Sequence, residues 1–307
     1  MKILLTAIGK RVELIKHLKT RFTVVGADCS DLNPAKYFVD KFCLIPRVTD
    51  GEYIPTLLRV CKEEKIDYLI PILENEFPIL DKAREDFEKT GTRLVLSDGK
   101  VLDICKDKKK TSGFFEKYSI PAPKVIGENE TCRYPVIVKP ADGMGSAGVY
   151  SCADDDDLKY ALKKVKDPII QEKINGTEYT MDVLCDMNGK VIYIVPRERI
   201  EVINGEVNKS VVVLDEKIIE LSKKVMGALN KEGKAVGPYT LQCFKEEDGS
   251  LKMLEINPRF GGGVPLSFAA GADYAEALSC IFEGKEPEVH PVKEITMLRF
   301  SESVFVQ

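Results

Sequence analysis

Residues 136–149 read VIVKPADGMGSAGV. Gly143, Gly145 and Gly148 fall at the GxGxxG spacing of a dinucleotide-binding turn. Such a turn runs from a strand through its glycines directly into a helix. Here YPVIVKP predicts a strand before the glycines, and VYSC predicts a second strand after them. The stretch therefore reads as a hairpin flap whose backbone amides can cover phosphates. Taken alone, it would pass for an ordinary glycine turn, so the rest of the chain has to decide.

Upstream, residues 1 to about 97 alternate between strand and helix patterns. KILLTA, FTVVGAD, FCLIP, DYLIPIL and RLVLS predict strands; RVELIKHLK, EYIPTLLRVCKEE and a segment from about Phe77 to Glu88 predict helices. This alternation predicts a doubly wound parallel sheet, with ligands at the carboxyl ends of its strands. Asp28 and the run Glu74-Asn75-Glu76 fall at such ends. Asp28 follows Gly9 by 28 − 9 = 19 residues, mimicking the ribose-binding acid of a dinucleotide site. The turn AIGKRVE, however, has one glycine and no GxGxxG, which argues against NAD.

Downstream, the pattern predicts a helix from about Asp107 to Tyr118. A helix with an acidic first turn follows the flap at Asp154–Asp157, a placement that suits the helix dipole. DPIIQEKI predicts a strand and hinge. From Gly176 onward, hairpins turning at Asn188-Gly189 and Asp248-Gly249 flank a helix over 215–232. Short helices close the fold over 264–283.

The composition narrows the function. A chain of 307 residues fits two or three compact units. A net charge of -4 argues against nucleic-acid binding, and no apolar run is long enough to span a membrane. Nine cysteines, an odd number with no CxxC, predict free thiols in a reducing cytoplasm rather than disulfides or a zinc cluster. With only His17 and His290, there is little material for a Ser/His/Asp triad or a histidine metal site.

What remains is a series of polar residues at strand ends. Lys108, Lys139 and an amide-rich flap suit a polyphosphate. Glu255 and Asn257 lie two apart on one strand and share a face. With Gln242 on the neighbouring strand they offer three hard oxygen donors, suited to Mg²⁺ shared with nucleotide phosphates. Arg259 follows, placed to steady a transferred phosphoryl group. Singly, most have plainer explanations. Lys108 stands in a run where four of five residues are lysine, Glu178 suits any strand surface, and Asn257-Pro258 suits any loop start. Glu255 is harder to dismiss, because an unpaired carboxylate inside the apolar strand KMLEIN is costly.

In order along the chain, D107-K-K-K-T111, V138-K-P140, G143-M-G-S-A-G148, Q171-E-K-I-N-G-T-E178, Q242 and E255-I-N-P-R259 resemble the ATP-grasp enzymes. The last pieces are similar to a single synthetase unit of the carbamoyl-phosphate synthase large chain. The resemblance covers roughly residues 1–285 and implies an α/β (α+β) ATP-grasp fold. Its implied parts are a doubly wound parallel-sheet domain at 1–100, a small lid subdomain at 101–175, and an antiparallel-sheet subdomain at 176–307. It implies ATP phosphate contacts from Lys108 and Lys139, and a phosphate cover from the amides of Gly145, Ser146 and Ala147. It implies an adenine-reading hinge at Glu172, Lys173 and Ile174, and ribose contact by Glu178. Gln242, Glu255 and Asn257 would hold one or two Mg²⁺, with Mn²⁺ as a substitute, Arg259 would act with Lys139 in catalysis, and Arg197 or Arg199 would add a phosphate or carboxylate contact.

The activity implied is a cytoplasmic ATP-dependent carboxylate–amine ligase, working through an acyl phosphate on small-molecule substrates and releasing ADP and phosphate. The fold class admits a homodimer. Carbamoyl-phosphate-type phosphorylation of bicarbonate is the alternative, and a non-catalytic ATP-binding module is a third reading. The Gly261–Gly263 run after Arg259 departs from the polar residues expected of the carbamoyl enzyme and would leave room for an organic substrate.

Overall fold

The computed structural model describes residues 1–127, 130–143, 147–203 and 205–306. Strands β1 (Lys2–Thr6), β2 (Thr23–Asp28), β3 (Lys41–Leu44), β4 (Tyr68–Ile70) and β5 (Arg93–Leu94) alternate with helices α1 (Val12–Leu18), α2 (Tyr53–Glu64), α3 (Phe77–Lys82) and α4 (Arg84–Lys89). The strands form one parallel sheet in the order β3-β2-β1-β4-β5. Residues of β1 and β4 are buried nearly throughout, as a strand covered on both faces requires. The helix expected over 77–88 is split at Ala83, where φ −103° and ψ 11° leave the helical region. RLVLS pairs as a strand only over Arg93–Leu94.

The next elements are α5 (Gly99–Lys106), α6 (Lys108–Lys117), β6 (Val136–Pro140), β7 (Tyr150–Cys152), α7 (Asp155–Lys164) and β8 (Pro168–Glu172). They carry a three-stranded sheet ordered β7-β6-β8, antiparallel throughout. Val136–Val138 pair with Cys152–Tyr150, so the glycine stretch connects two strands of a hairpin and opens no helix. Asp154 caps α7 by accepting from the amides of Asp156 and Asp157, which accounts for the acidic run.

The remainder holds β9 (Thr177–Cys185), β10 (Val191–Ile203), β11 (Glu206–Val212), α8 (Glu216–Glu232), β12 (Gly237–Lys245), β13 (Leu251–Asn257), α9 (Pro265–Ala269), α10 (Tyr274–Phe282) and β14 (Thr296–Leu298). Six of these strands form an antiparallel sheet ordered β13-β12-β9-β10-β11-β14. One face packs Tyr179, Met181, Val183, Leu241 and Cys243 against Val225 and Leu229 of α8. On β9 the alternate residues Glu178, Thr180 and Asp182 are polar and turn the other way. A second core joins the two large sheets through Leu5 and Ile70 on one side and Val195, Phe260 and Tyr274 on the other. Among the described residues no helix is long and apolar enough to cross a membrane.

Candidate active site

The polar face of the six-stranded sheet carries the site. On β9 the residues alternate, so Glu178, Thr180 and Asp182 share the face opposite Tyr179, Met181 and Val183. Gln242 on β12 pairs with Thr180 on one side and with Glu255 of β13 on the other. A register shift lies between the Gln242–Glu255 and Cys243–Met253 pairs, leaving Leu254 as the extra residue. This bulge lets Met253 and Ile256 both face the core while Glu255 and Asn257 face the site. Asn257 Nδ2 donates to Glu255 Oε1 at 2.9 Å, which leaves the amide oxygen free.

Lys139 enters from the small sheet, on β6 opposite Ile169. It is 7% exposed, yet among the described residues its ammonium has no hydrogen bond and no ion pair. Burial lowers its pKa to about 8; nearby Glu255 opposes this and Lys108 adds to it. A buried cation with no protein partner is a place for an anion. Lys108 is the first residue of α6, set there by the Asp107 cap on the amides of Lys109 and Lys110. Its ammonium donates to the Gly143 carbonyl at 2.8 Å, so it already reaches the base of the flap. At Gly148 the turn requires φ +73°, and a Cβ there would lie 3.2 Å from Pro140 Cγ. The flap is thus folded tightly onto the strand that carries Lys139.

Arg259, just past β13, reaches across to the parallel sheet. Its Nε lies 2.7 Å from Oε1 of Glu74, in the turn after β4. Burial pushes the Glu74 carboxyl upward, and Arg259 holds it back. Glu178 is also pushed upward by burial and opposed by Arg199, whose Nε lies 3.2 Å away. A cavity of about 590 Å³ lies elsewhere, lined by Arg84, Arg93, Met187 and Lys234. It contains none of these groups.

The PylC-like N-terminal domain family matches residues 3–95, and the family described as "ATP-grasp in the biosynthetic pathway with Ter operon" matches residues 164–303. The carbamoyl-phosphate synthase large chain of Campylobacter jejuni is 26% identical over 243 residues, covering 72% of this chain and 22% of the relative. The chain thus spans about a fifth of the length of that relative. N5-carboxyaminoimidazole synthetase from Staphylococcus aureus, solved with ADP, superposes with a TM-score of 0.77 at 17% identity, covering 97% of this chain and 82% of that one. An L-amino acid ligase from Bacillus licheniformis gives a TM-score of 0.72 at 20% identity, covering 96% of this chain and 78% of that one. The chain has the ATP-grasp fold.

Within this fold the expected residues divide into groups. Lys108, Lys139, Gln242, Glu255, Asn257 and Arg259 all border the space between the small sheet and the polar face. Glu172 ends β8, and Lys173 and Ile174 begin the link to β9. There the Glu172 carboxylate accepts the Lys124 amide at 2.9 Å, and the Lys173 ammonium donates to Ser151 at 3.1 Å. Ala147 is exposed in the flap; Gly145 and Ser146 lie outside the described residues.

Three expectations need correction. Arg197 is sealed in the interior against Asp182, Nε to Oδ2 at 2.8 Å, and cannot reach a ligand. Asp28 uses its carboxylate on the amides of Gly9 and Ser30, at 2.9 and 3.0 Å, so it shapes a turn. At Gly261 and Gly263 the run does not open space for a substrate. A Cβ on Gly263 would lie 2.6 Å from Arg197 Cζ, and one on Gly261 would lie 2.8 Å from Thr240 Oγ1. These glycines let the chain lie on the buried Arg197–Asp182 pair. Two arginines near Arg259 went unread, Arg11 and Arg299. Arg11 follows the first strand of a parallel sheet, a position where ligands gather. Arg299 had no sequence signal.

Proposed function

We propose that this chain is an ATP-dependent ligase that joins a small carboxylic acid to an amine through an acyl phosphate. One observation carries the reading: the Lys139 side chain, nearly buried and without an ion pair among the described residues, lies beside Glu255, on the edge of a face that also presents Gln242, Asn257 and Arg259. Polyphosphate matches the unpaired cation. The donors also fit a divalent ion, because Glu255 and Asn257 share one face and keep a free amide oxygen beside a carboxylate. Mg²⁺ bound there would neutralise phosphate charge. Among the described residues no cluster of three His, Cys, Asp or Glu stands ready for a metal, so the amides and ATP itself would complete the shell.

Lys108 and Lys139 hold the phosphates, and the Ala147 segment of the flap closes over them. Glu172, Lys173 and Ile174 border the base, and Glu178 borders the ribose. Arg259 faces the carboxylate as it takes the phosphoryl group, and the amine then displaces phosphate. The chain supplies position and electrostatics rather than a covalent nucleophile. We read residues 1–100, 101–175 and 176–307 as its three working parts. ATP supply and nine unpaired cysteines suit the cytoplasm. The test is phosphate release from ATP and Mg²⁺ with acids and amines singly and in pairs. Release that requires one of each establishes the ligase. Release with bicarbonate alone assigns carbamoyl-type chemistry instead.

A further inference from the structure

Three arginines from distant parts of the chain meet around Gly262. Arg11 follows β1, Arg259 follows β13 and Arg299 follows β14. Nη1 of Arg11 would lie 3.1 Å from a Cβ built on Gly262. Nη2 of Arg299 donates to the Gly262 carbonyl, and its Nη1 donates to the Val207 carbonyl at 3.2 Å. Arg259 is held by Glu74 at 2.7 Å. Arg299 has Glu13 at 3.5 Å and Glu206 at 4.0 Å, both largely exposed and so well screened. The Arg11 guanidinium has no hydrogen bond, and no carboxylate lies within 4.0 Å of it, among the described residues. Burial depresses its pKa, and Arg259 and Arg299 depress it further against the pull of Glu206.

The location gives this cluster meaning. β1 lies between β2 and β4, so the strand order reverses there and a crevice opens beyond the carboxyl ends of β1 and β4. Arg11 comes from one side of that crevice and Glu74 from the other. Three positive charges at the mouth of one crevice repel each other, and Glu74 answers only one of them closely. An arginine fork matches a carboxylate or phosphate in shape as well as charge.

We propose that Arg11 and Arg299 hold a second anionic group of the acid substrate, so that the acceptor is a dianion: a dicarboxylate or a phosphate-bearing acid. Arg259 then serves the reacting carboxylate, and the other two arginines serve the distant charge. This specificity rests on the ligase reading for its purpose, but the pocket can be tested without turnover.

The experiment is calorimetric titration of the full chain, at fixed ionic strength and without ATP, with matched pairs. Glutarate is compared with its monoamide, and 3-phosphoglycerate with glycerate. At least one dianion is expected to bind tenfold or more tighter than its monoanionic partner, and the two pairs distinguish carboxylate from phosphate. Arg11→Gln should erase the difference, Arg11→Lys should keep part of it, and MgATP affinity should be unchanged in both, which also shows that they fold. Equal binding within both pairs, no binding by any probe, or discrimination that survives in both Arg11→Gln and Arg299→Gln overturns the proposal. Phosphate release is then measured separately. Discrimination without turnover on any amine keeps the pocket and removes the ligase. Turnover that is equal for dianions and monoanions does the reverse.

Discussion

At the scale of single residues, two buried ionisable groups carry opposite messages. Lys139 is protonated at neutral pH although burial has lowered its pKa to about 8, against an ordinary 10.5. Holding that charge costs the empty protein on the order of 3 kcal/mol at neutral pH. The unfolded chain binds the proton more tightly, so this cost shrinks as pH rises from about 8 toward the ordinary value. Bound phosphate favours the protonated form. ATP affinity should therefore hold below about pH 8 and decline above it, and Lys139→Met should lose that limb. The same variant should lose about 10²-fold or more in turnover, while its ligand-free melting temperature does not fall. A drop in both would make Lys139 a structural residue. Glu76 is different: it lies beside Thr6 and Tyr53, and burial raises its carboxyl to about 7. The folded state here binds the proton more tightly, so the stability from this group is present at acidic pH and is lost as pH rises through about 7. Glu76→Gln should flatten the dependence of melting temperature on pH between 4.5 and about 7, the ordinary and the raised values of this carboxyl. An unchanged slope would place the titration elsewhere.

Single elements show which features the sequence disclosed and which it hid. The face shared by Glu255 and Asn257 was legible because strand side chains alternate. The Leu254 bulge was not, since KMLEIN reads as an unbroken apolar strand and only pairing with β12 exposes the extra residue. The hairpin nature of the glycine stretch was legible from the strand that follows it. Helix α5 was missed, for GKVLDICK is short and runs almost directly into the Asp107 cap. That cap gives a clean test. Asp107→Ala removes the acceptor for two amides at the start of α6 and should cost about 1 kcal/mol of stability. Because Lys108 is the first residue of the helix, KM for ATP should rise severalfold with it. The Gly261–Gly263 run was misread for a physical reason: glycine marks close backbone approach as readily as open space. Gly263→Ala must displace the Arg197 guanidinium, 2.6 Å from the new Cβ, and disturb its pair with Asp182. Chemical denaturation should show a loss of about 3 kcal/mol, within the range for breaking a buried ion pair. A loss below about 0.5 kcal/mol, the range of ordinary surface changes, would show that the loop adjusts freely.

At the scale of the molecule, the cores divide the chain unequally. The parallel and six-stranded sheets share one apolar core, in which Ile3 and Ile8 lie with Leu184, Phe260 and Leu278. The Glu74–Arg259 contact crosses the same boundary. The small sheet has a core of six buried residues, Ile126, Val136, Val138, Cys152, Ala161 and Val165. A unit with so little buried apolar surface opens at a lower free energy than its neighbours. It also carries Lys139 and the flap, so opening this unit would expose the nucleotide site without disturbing the residues of β12 and β13. Hydrogen exchange on the full chain should therefore find the amides of β6, β7 and β8 exchanging at least tenfold faster than those of β1, β4, β9 and β12. Mg²⁺ with a non-hydrolysable ATP analogue should slow β6 and β7 most, because the phosphates would tie Lys139 and the flap to the polar face. Lys139→Met should bind the analogue weakly and show little slowing at the same concentration. Uniform exchange across the three sheets would mean that the chain opens as one body. Slowing confined to the parallel sheet would put the nucleotide at the crevice of Arg11, and the two halves of the site would have to be exchanged.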